Sequence, residues 1–430
     1  MAISWRAVAL AALGLIPVML LPQMATVGTW VLIWVAVVVG DLALAAAPRK
    51  VVVTRSPLPS VRLTESATST LTLVNADSKR LRGIVRDAWQ PTAGAVGNRH
   101  DLDIQPGEAR RVRTALQPVR RGDLLPHRVT IRAWGPLGIA GRQRSIAVAG
   151  TLRVLPEFRS RRHLPSRLAR LREMDGRSAV NVRGPGTEFD SLREYVMGDD
   201  VRAIDWRATA RRQEMVVRTW RPERDRRVLI VLDTSRLSAA RLGDAPRLDA
   251  GIEASLLLTA LATRAGDRVE LLAVDQQVRA RVSGTHSSAV MSTMAAAVAP
   301  VHPLLVEPDW TLVAQLVRDR LSQRALVVLV TAVEASSVET GLVQVAATLA
   351  ADHQVVVASA TDPEAEALRT NRETTADLFD AAAAERANLE RRGVTMELRR
   401  AGVEVLERLP DDLAPGLADT YLALKAAGRL

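Results

Sequence analysis

The chain of 430 residues has no cysteine. That absence excludes disulfides, thiolate zinc sites, iron–sulfur clusters and cysteine nucleophiles together. Aromatic residues make up only 3%, too few for recognition of single strands by base stacking, so nucleic acid is not an expected partner. Lysine is nearly absent: Lys50, Lys79 and Lys425 are the only three, and none follows a glycine-rich loop, so there is no phosphate-binding loop for a nucleotide. The six histidines, His100, His127, His163, His286, His302 and His353, never fall at ligand spacing along a helix or ribbon.

What the chain does have is arginine and apolar residues. The net charge is +11, and 48% of residues are hydrophobic. A length of 430 residues predicts two or three domains with ample core. The basic balance points to anionic partners such as lipid head groups or an acidic protein face. A coding bias toward arginine would leave the same trace.

No charged residue occurs from Ala7 to Gly40. One helix of that length would reach about 50 Å, against an apolar bilayer core of about 30 Å. Leu21-Pro22-Gln23 interrupts the run, because proline lacks the backbone donor. The expectation is therefore a two-helix transmembrane hairpin over residues 1–50. Its first span runs from Ala2 to Leu21 with a kink at Pro17, and its second from Ala25 to Ala47. Arg6 precedes the pair, Arg49, Lys50 and Arg55 follow it, and the turn carries no charge. The positive-inside rule then places both ends, and the bulk of the chain, in the cytoplasm against an inner or plasma membrane. A cleaved signal peptide fits less well, since a second apolar run follows and no A-x-A-like site does. Asp41 lies near the inner end of the second span and is read as reaching the interface.

Residues 51–155 alternate with period two in Ser69–Val74, Arg128–Arg132 and Ser145–Val148. Turn signals separate the runs, including Pro106-Gly107-Glu108, Arg121-Gly122-Asp123 and Gly135-Pro136-Leu137-Gly138. This pattern predicts an antiparallel β-sandwich of six to eight strands. Residues 156–227 form a basic connector; from Arg153 to Arg227 there are nineteen arginines against twelve acids. Beside a membrane such a run can touch anionic lipid, and a binder of lipid head groups or nucleic acid through this connector is a further competing reading; a solvated helix face with local ion pairs explains it as well.

The connector holds the most unusual stretch of the chain, from Gly184-Pro185-Gly186 to Arg211. Phe189, Leu192, Tyr195 and Val196 recur at helical spacing, and Asp199 or Asp200 is placed to cap a following helix. Glu188, Arg193, Tyr195, Asp199, Asp200, Arg202, Asp205, Trp206 and Arg211 mix carboxylates, arginines and aromatics in the manner of a paired docking network. Paired carboxylates can also do acid–base work, so a metal-assisted hydrolase using Asp199, Asp200 and Asp205 is the competing reading. It requires the carboxylates to converge on an open pocket instead of each facing an arginine. No residue is assigned a catalytic role.

From 228 to 430 buried apolar runs alternate with helical stretches at 246–265, 287–299, 311–323, 338–351 and 374–401. That alternation predicts an α/β doubly wound, Rossmann-type domain, with any site beyond the carboxyl ends of its strands. Asp233-Thr234-Ser235 after the first apolar strand resembles the start of the metal-ion-dependent adhesion site of von Willebrand factor A domains. The stretch from 184 to 211, with Arg120-Arg121-Gly122 and Pro136-Leu137-Gly138, resembles the bacterial domain-of-unknown-function family 58, a resemblance that covers nearly the whole chain, from the membrane hairpin to the Tyr421-to-Lys425 end. That resemblance implies a membrane-anchored protein with a von Willebrand A-like cytosolic domain. It also implies a partner, a MoxR-type AAA+ ATPase, and a role as adaptor in complex assembly or envelope maturation. Of the adhesion site's ligands, Asp233, Ser235 and Thr311 match, whereas Leu237 and Ala332 stand where a serine and an aspartate are expected. Glu334 is the nearest substitute. The oxygen donors that remain are of the kind that suits magnesium.

Overall fold

The computed structural model describes residues 2–178, 188–197, 199–221, 226–283 and 289–430. The chain divides into two compact units, Met1–Glu157 and Phe158–Leu430.

The first unit opens with three helices, α1 (Trp5–Leu13), α2 (Leu15–Leu20) and α3 (Met24–Leu44). Only α3 lies in a helical segment long and apolar enough to cross a membrane. The 16 residues Trp5–Leu20 rise about 24 Å, short of the apolar thickness. The expected first span differs in two further respects. Ala2–Ile3 is a strand, paired with Gly141 and Ala140. The break falls at Gly14, three residues before Pro17; a Cβ at Gly14 would stand 2.1 Å from the Trp30 ring. Pro17 sits in the first turn of α2, where its missing N–H costs no helical bond. The indole N–H of Trp34 donates to the Ala7 carbonyl at 2.9 Å, joining α3 to α1.

Beyond the helices is a β-sandwich. One sheet has five strands in the order Ala2–Ile3, Ala140–Ile146, Pro126–Trp134, Leu81–Trp89 and Arg99–Ile104. The other has four: Val51–Arg55, Ala67–Asn75, Ala109–Leu116 and Ala95–Val96. A short three-stranded ribbon completes the unit. With its two-residue strands the unit holds more than the six to eight expected. Leu71, Leu73 and Val112 face Val85, Leu102, Val129 and Ile131 across a common core. Alternation puts these side chains inward and Thr68, Thr70 and Thr72 outward. Inside lies one ion pair. The guanidinium of Arg55 makes a two-pronged bond to Asp87 at 2.8 and 2.9 Å, with both side chains almost fully covered. The Ser69 hydroxyl and Trp89 indole also donate to that carboxylate. Burial pushes Asp87 upward, and the Arg55 bonds outweigh it, leaving the carboxyl below its usual range.

The helices are tied to the sandwich chiefly at the turn Gly135–Ile139 between its strands Pro126–Trp134 and Ala140–Ile146. The buried carboxylate of Asp41, in the last turns of α3, accepts from the N–H groups of Leu137, Ile139 and Ala140, each at 2.8 Å. Asp41 thus caps a turn, and does more than reach an interface. The chain before α1 grips the same turn. Ser4 N–H donates to the Ile139 carbonyl at 2.9 Å, and the Ser4 hydroxyl to Gly138 at 2.7 Å. Glycine is required at Gly135, where a Cβ would be 2.2 Å from the Asp41 carboxylate, and at Gly138, where φ is +65°.

The second unit is built on a six-stranded sheet in the order Val278–Val282, Arg268–Val274, Arg227–Asp233, Leu326–Val330, Gln354–Ala360 and Glu404–Arg408. All pairs are parallel except the first. Strand Arg227–Asp233 shows why both faces must be covered. Val228, Ile230 and Leu232 enter one core with helix Arg247–Arg264 and the last helix, Pro410–Ala426. Leu229 and Val231 enter the other, with Trp310, Leu342, Leu349 and Val394. This is the doubly wound arrangement expected from the continuous apolar runs. Residues 158–178 belong to this unit: Phe158, Leu164, Leu168 and Met174 pack on the first core. Arg167 bonds Asp419 at 2.7 Å. The Tyr421 hydroxyl and Lys425 ammonium both reach the buried carboxylate of Asp267, which fixes the last helix to the start of strand Arg268–Val274.

Candidate functional site

Two places carry the residues singled out in the sequence. The first is the carboxyl end of the parallel sheet. The chain leaves Arg227–Asp233 toward one edge and later returns to its other side with Leu326–Val330, so the strand order reverses beside Asp233. There the loops after successive strands meet.

Asp233 and Ser235 are buried in this place, but their polar atoms are taken. Asp233 accepts from Ser235 N–H at 2.8 Å through one oxygen and from the Thr331 hydroxyl at 2.6 Å through the other. The Ser235 hydroxyl caps the following turn. Burial pushes the Asp233 carboxyl above its ordinary range, and the nearby charge of Asp275 adds to the rise. Asp275 ends the next strand and takes the Thr234 hydroxyl at 2.9 Å and Arg279 at 2.7 Å. Burial alone would raise it too, yet those bonds and two backbone N–H groups bring it below the usual carboxylate range.

Thr311 is exposed, in the first turn of helix Trp310–Arg318, whose cap is Asp309. Leu237 and Ala332 are buried apolar side chains. Glu334 is committed to an ion pair with Arg247 at 2.7 Å. Among the described residues no group of three or more histidine or acidic side chains could hold a metal ion. The oxygens of Asp233 and the hydroxyl of Ser235 are thus engaged within the loops, Thr311 is exposed, and two of the five expected ligand positions carry no ligand atom.

A cation does occupy these loops: the guanidinium of Arg247. It donates to the carbonyls of Leu237 at 2.8 Å and Ala360 at 3.1 Å and to Glu334, tying the loops after three strands. Sequence reasoning missed Arg247, Thr331 and Asp275. The first two gave no signal. Asp275 could have been found, since it follows an apolar strand as Asp233 does.

The second place is the unusual stretch of the connector. Glu188–Glu194 is a strand, paired antiparallel with Val216–Arg221, so the expected helix over Phe189 to Val196 is absent. Apolar residues three apart fit a strand just as well when a bulge intervenes, and the register shifts between Phe189 and Ser191. The Glu188 side chain and the Gly184-Pro185-Gly186 turn lie outside the described residues.

The remaining polar residues close on one another. Arg193 pairs with Asp199 at 2.5 Å, and the other oxygen of Asp199 accepts from Val196 N–H at 3.0 Å. Tyr195 N–H donates to the Met215 carbonyl. Asp200 caps only the short turn Val201–Ala203, through Arg202 N–H. Asp205, not Asp199 or Asp200, caps the helix Trp206–Arg212, accepting from Arg207 and Ala208 N–H at 3.0 Å and from Arg218 at 2.8 Å. The Ala208 N–H, then Arg218, holds Asp205 below the usual carboxylate range. Asp199 and Asp205 each face an arginine, and Asp200 faces backbone. This is the paired arrangement and not a convergent acid–base site. Arg202 and Arg211 are exposed.

The stretch also shows apolar side chains to solvent. Met197 is 96% exposed, Trp206 68%, and Val196 and Val201 61% each. Single exposed apolar residues need no explanation; four within eleven positions do.

A model of the family described as "Protein of unknown function DUF58" matches residues 191–404. Uncharacterised proteins of Mycobacterium bovis and Mycobacterium tuberculosis are 28% identical over 153 residues, 35% of this chain and 48% of theirs. The chain spans about half the length of these curated relatives. Among solved structures, the conserved hypothetical protein BatB from Bacteroides thetaiotaomicron is 18% identical. It covers 47% of this chain and 99% of its own, with a TM-score of 0.32. The VWA domain of SpRpn10 is 12% identical, covering 46% and 94%, with a TM-score of 0.27. TM-scores this low add nothing to the fold already described.

Proposed function

We propose, from the match of residues 191–404 to the model of the protein family of unknown function DUF58, that the chain is a membrane-anchored binding module. One observation carries the reading. In the stretch from Arg193 to Trp206 the carboxylates of Asp199 and Asp205 are paired with arginines, while Val196, Met197, Val201 and Trp206 stand exposed beside the charges of Glu194 and Arg202. Exposed tryptophan and methionine in a polar frame are what a protein partner's apolar surface recognises. The partner implied by the family resemblance is a MoxR-type AAA+ ATPase. The helices α1 to α3 supply the anchor: α3 spans the bilayer, and the shorter α1 with α2 returns beside it as the other arm of a hairpin, with both ends on the cytoplasmic side. This is supported by the uncharged turn at Gln23 and the cations flanking the pair.

Photo-crosslinking from position 206 of the full chain in mild detergent tests the partner. A cross-link to a AAA+ ATPase that disappears with Met197→Ser supports the proposal; none overturns it. The lack of native cysteine makes topology simple to read. A cysteine placed at Gln23 should react only from outside the cell, and one at Ser66 only from inside.

A further inference from the structure

The charge of the chain is unevenly divided. Residues 1–157 hold 20 Lys and Arg against nine Asp and Glu, a net of +11; residues 158–430 hold 38 of each. The net excess thus equals that of the unit that carries the apolar helices, while the arginine surplus of the connector is balanced by acids elsewhere in the second unit.

Within that unit the Asp41 clasp fixes which cations stand at the foot of the helices. Arg6 donates to the Leu137 carbonyl at 3.1 Å, in the clasped turn. Lys79 donates to the Ala43 carbonyl at 2.6 Å, in the last turn of α3. Arg144 donates to the carbonyl of Arg49 at 2.7 Å, just after α3. These three side chains and that of Arg49 are exposed. Each of the three donates to a peptide carbonyl, which leaves its charge uncancelled. Two neighbours differ: Lys50 pairs with Asp77, and Arg80 with Asp103. Asp41 itself is buried beneath its three N–H donors. The same foot exposes Ile3 at 55%, Trp5 at 76% and Leu137 at 56%. Apolar side chains, an indole and uncompensated cations at the end of an apolar helix are the chemistry of a bilayer's interfacial layer.

We propose that the foot of the sandwich, formed by Arg6, Arg49, Lys79 and Arg144 around the clasped turn, binds the head groups of anionic phospholipids. This rests on the membrane-anchor reading. The occupant is a lipid and not a soluble anion, because the cations ring the helix exit and Leu137 and Trp5 stand beside them. Asp41 is the positioning residue: by locking α3 to the turn it sets the height of the cations above the apolar layer.

The test uses the full chain in bilayer discs of phosphatidylcholine, with fluorescent phosphatidylglycerol as competitor. The expected result is a preference for phosphatidylglycerol that drops about fivefold for each cation lost in Arg6→Gln, Lys79→Gln and Arg144→Gln, and that Arg6→Lys retains. Unchanged sandwich melting in each variant keeps the reading clear of misfolding. A wild-type chain without the preference, or variants that keep it, overturns the proposal. Full competition by glycerol phosphate at equal concentration also overturns it, in favour of a soluble ligand. Alkaline extraction from plain phosphatidylcholine vesicles separates the two readings. A chain that washes out disproves the anchor, whereas one that stays but shows no head-group preference disproves only this inference.

Discussion

The carboxylate of Asp41 and the N–H of Ile139, 98 residues apart in the chain, meet at 2.8 Å. Leu137 and Ala140 complete the set of donors. Asp41→Ala would leave two buried N–H groups and one half-buried one without their acceptor, at a cost on the order of 3 kcal/mol. Hydrogen exchange of the full chain in detergent should show faster exchange at 137, 139 and 140 by at least about a hundredfold. Protection equal to wild type would mean that the turn holds its shape without α3.

Asp77 is a pH-dependent contact of the same unit. The Ala47 N–H, then Lys50, lower its carboxyl from 3.8 to about 2. A depressed carboxylate contributes stability that is full above the unfolded value and lost as pH falls through the folded one. The contribution is about 2 kcal/mol. Wild type should therefore lose this increment between about pH 4 and 2. Asp77→Asn should be less stable by that amount at pH 7 and should converge with wild type at the acid end of a melting series.

Arg55 and Asp87 form a covered pair in the sandwich core. Arg55→Met alone strands a buried carboxylate and should cost roughly 3–5 kcal/mol. Arg55→Met combined with Asp87→Leu should recover most of that loss, because the desolvation penalty goes with the charges. Chemical denaturation of the three variants in detergent checks it; additivity of the single losses would sink the argument.

Asp233 is buried with a raised carboxyl, so keeping it ionised at neutral pH opposes folding. Asp233→Asn should match or exceed the wild-type melting temperature at pH 7. Magnesium or manganese at millimolar concentration should shift neither. A cation site would give the reverse, with a metal-dependent rise that the variant abolishes.

Arg247 bridges three loops. Arg247→Ala should cost roughly 2 kcal/mol and deprotect residues 237–240 and 334–337 in hydrogen exchange, with little change in the strands. Arg247→Lys should restore only part, since one ammonium cannot span the positions that the planar fork reaches.

The sequence by itself determined the elements whose pattern is local. The apolar run to Gly40 could only become helices in apolar surroundings. The alternation of Ser69–Val74 required a half-buried strand, and Val228–Leu232 a strand covered on both faces. Asp205 carried its cap wherever the chain placed it. Tertiary structure decided what depends on partners distant in the chain. Asp41 became the acceptor for a turn, Arg247 became the cation of the upper loops, and Asp233 spent both oxygens on its neighbours. The reason is that a polar side chain's role is set by which donors and acceptors share its burial. Pattern along one segment records that a group is buried. It does not record what lies across from it.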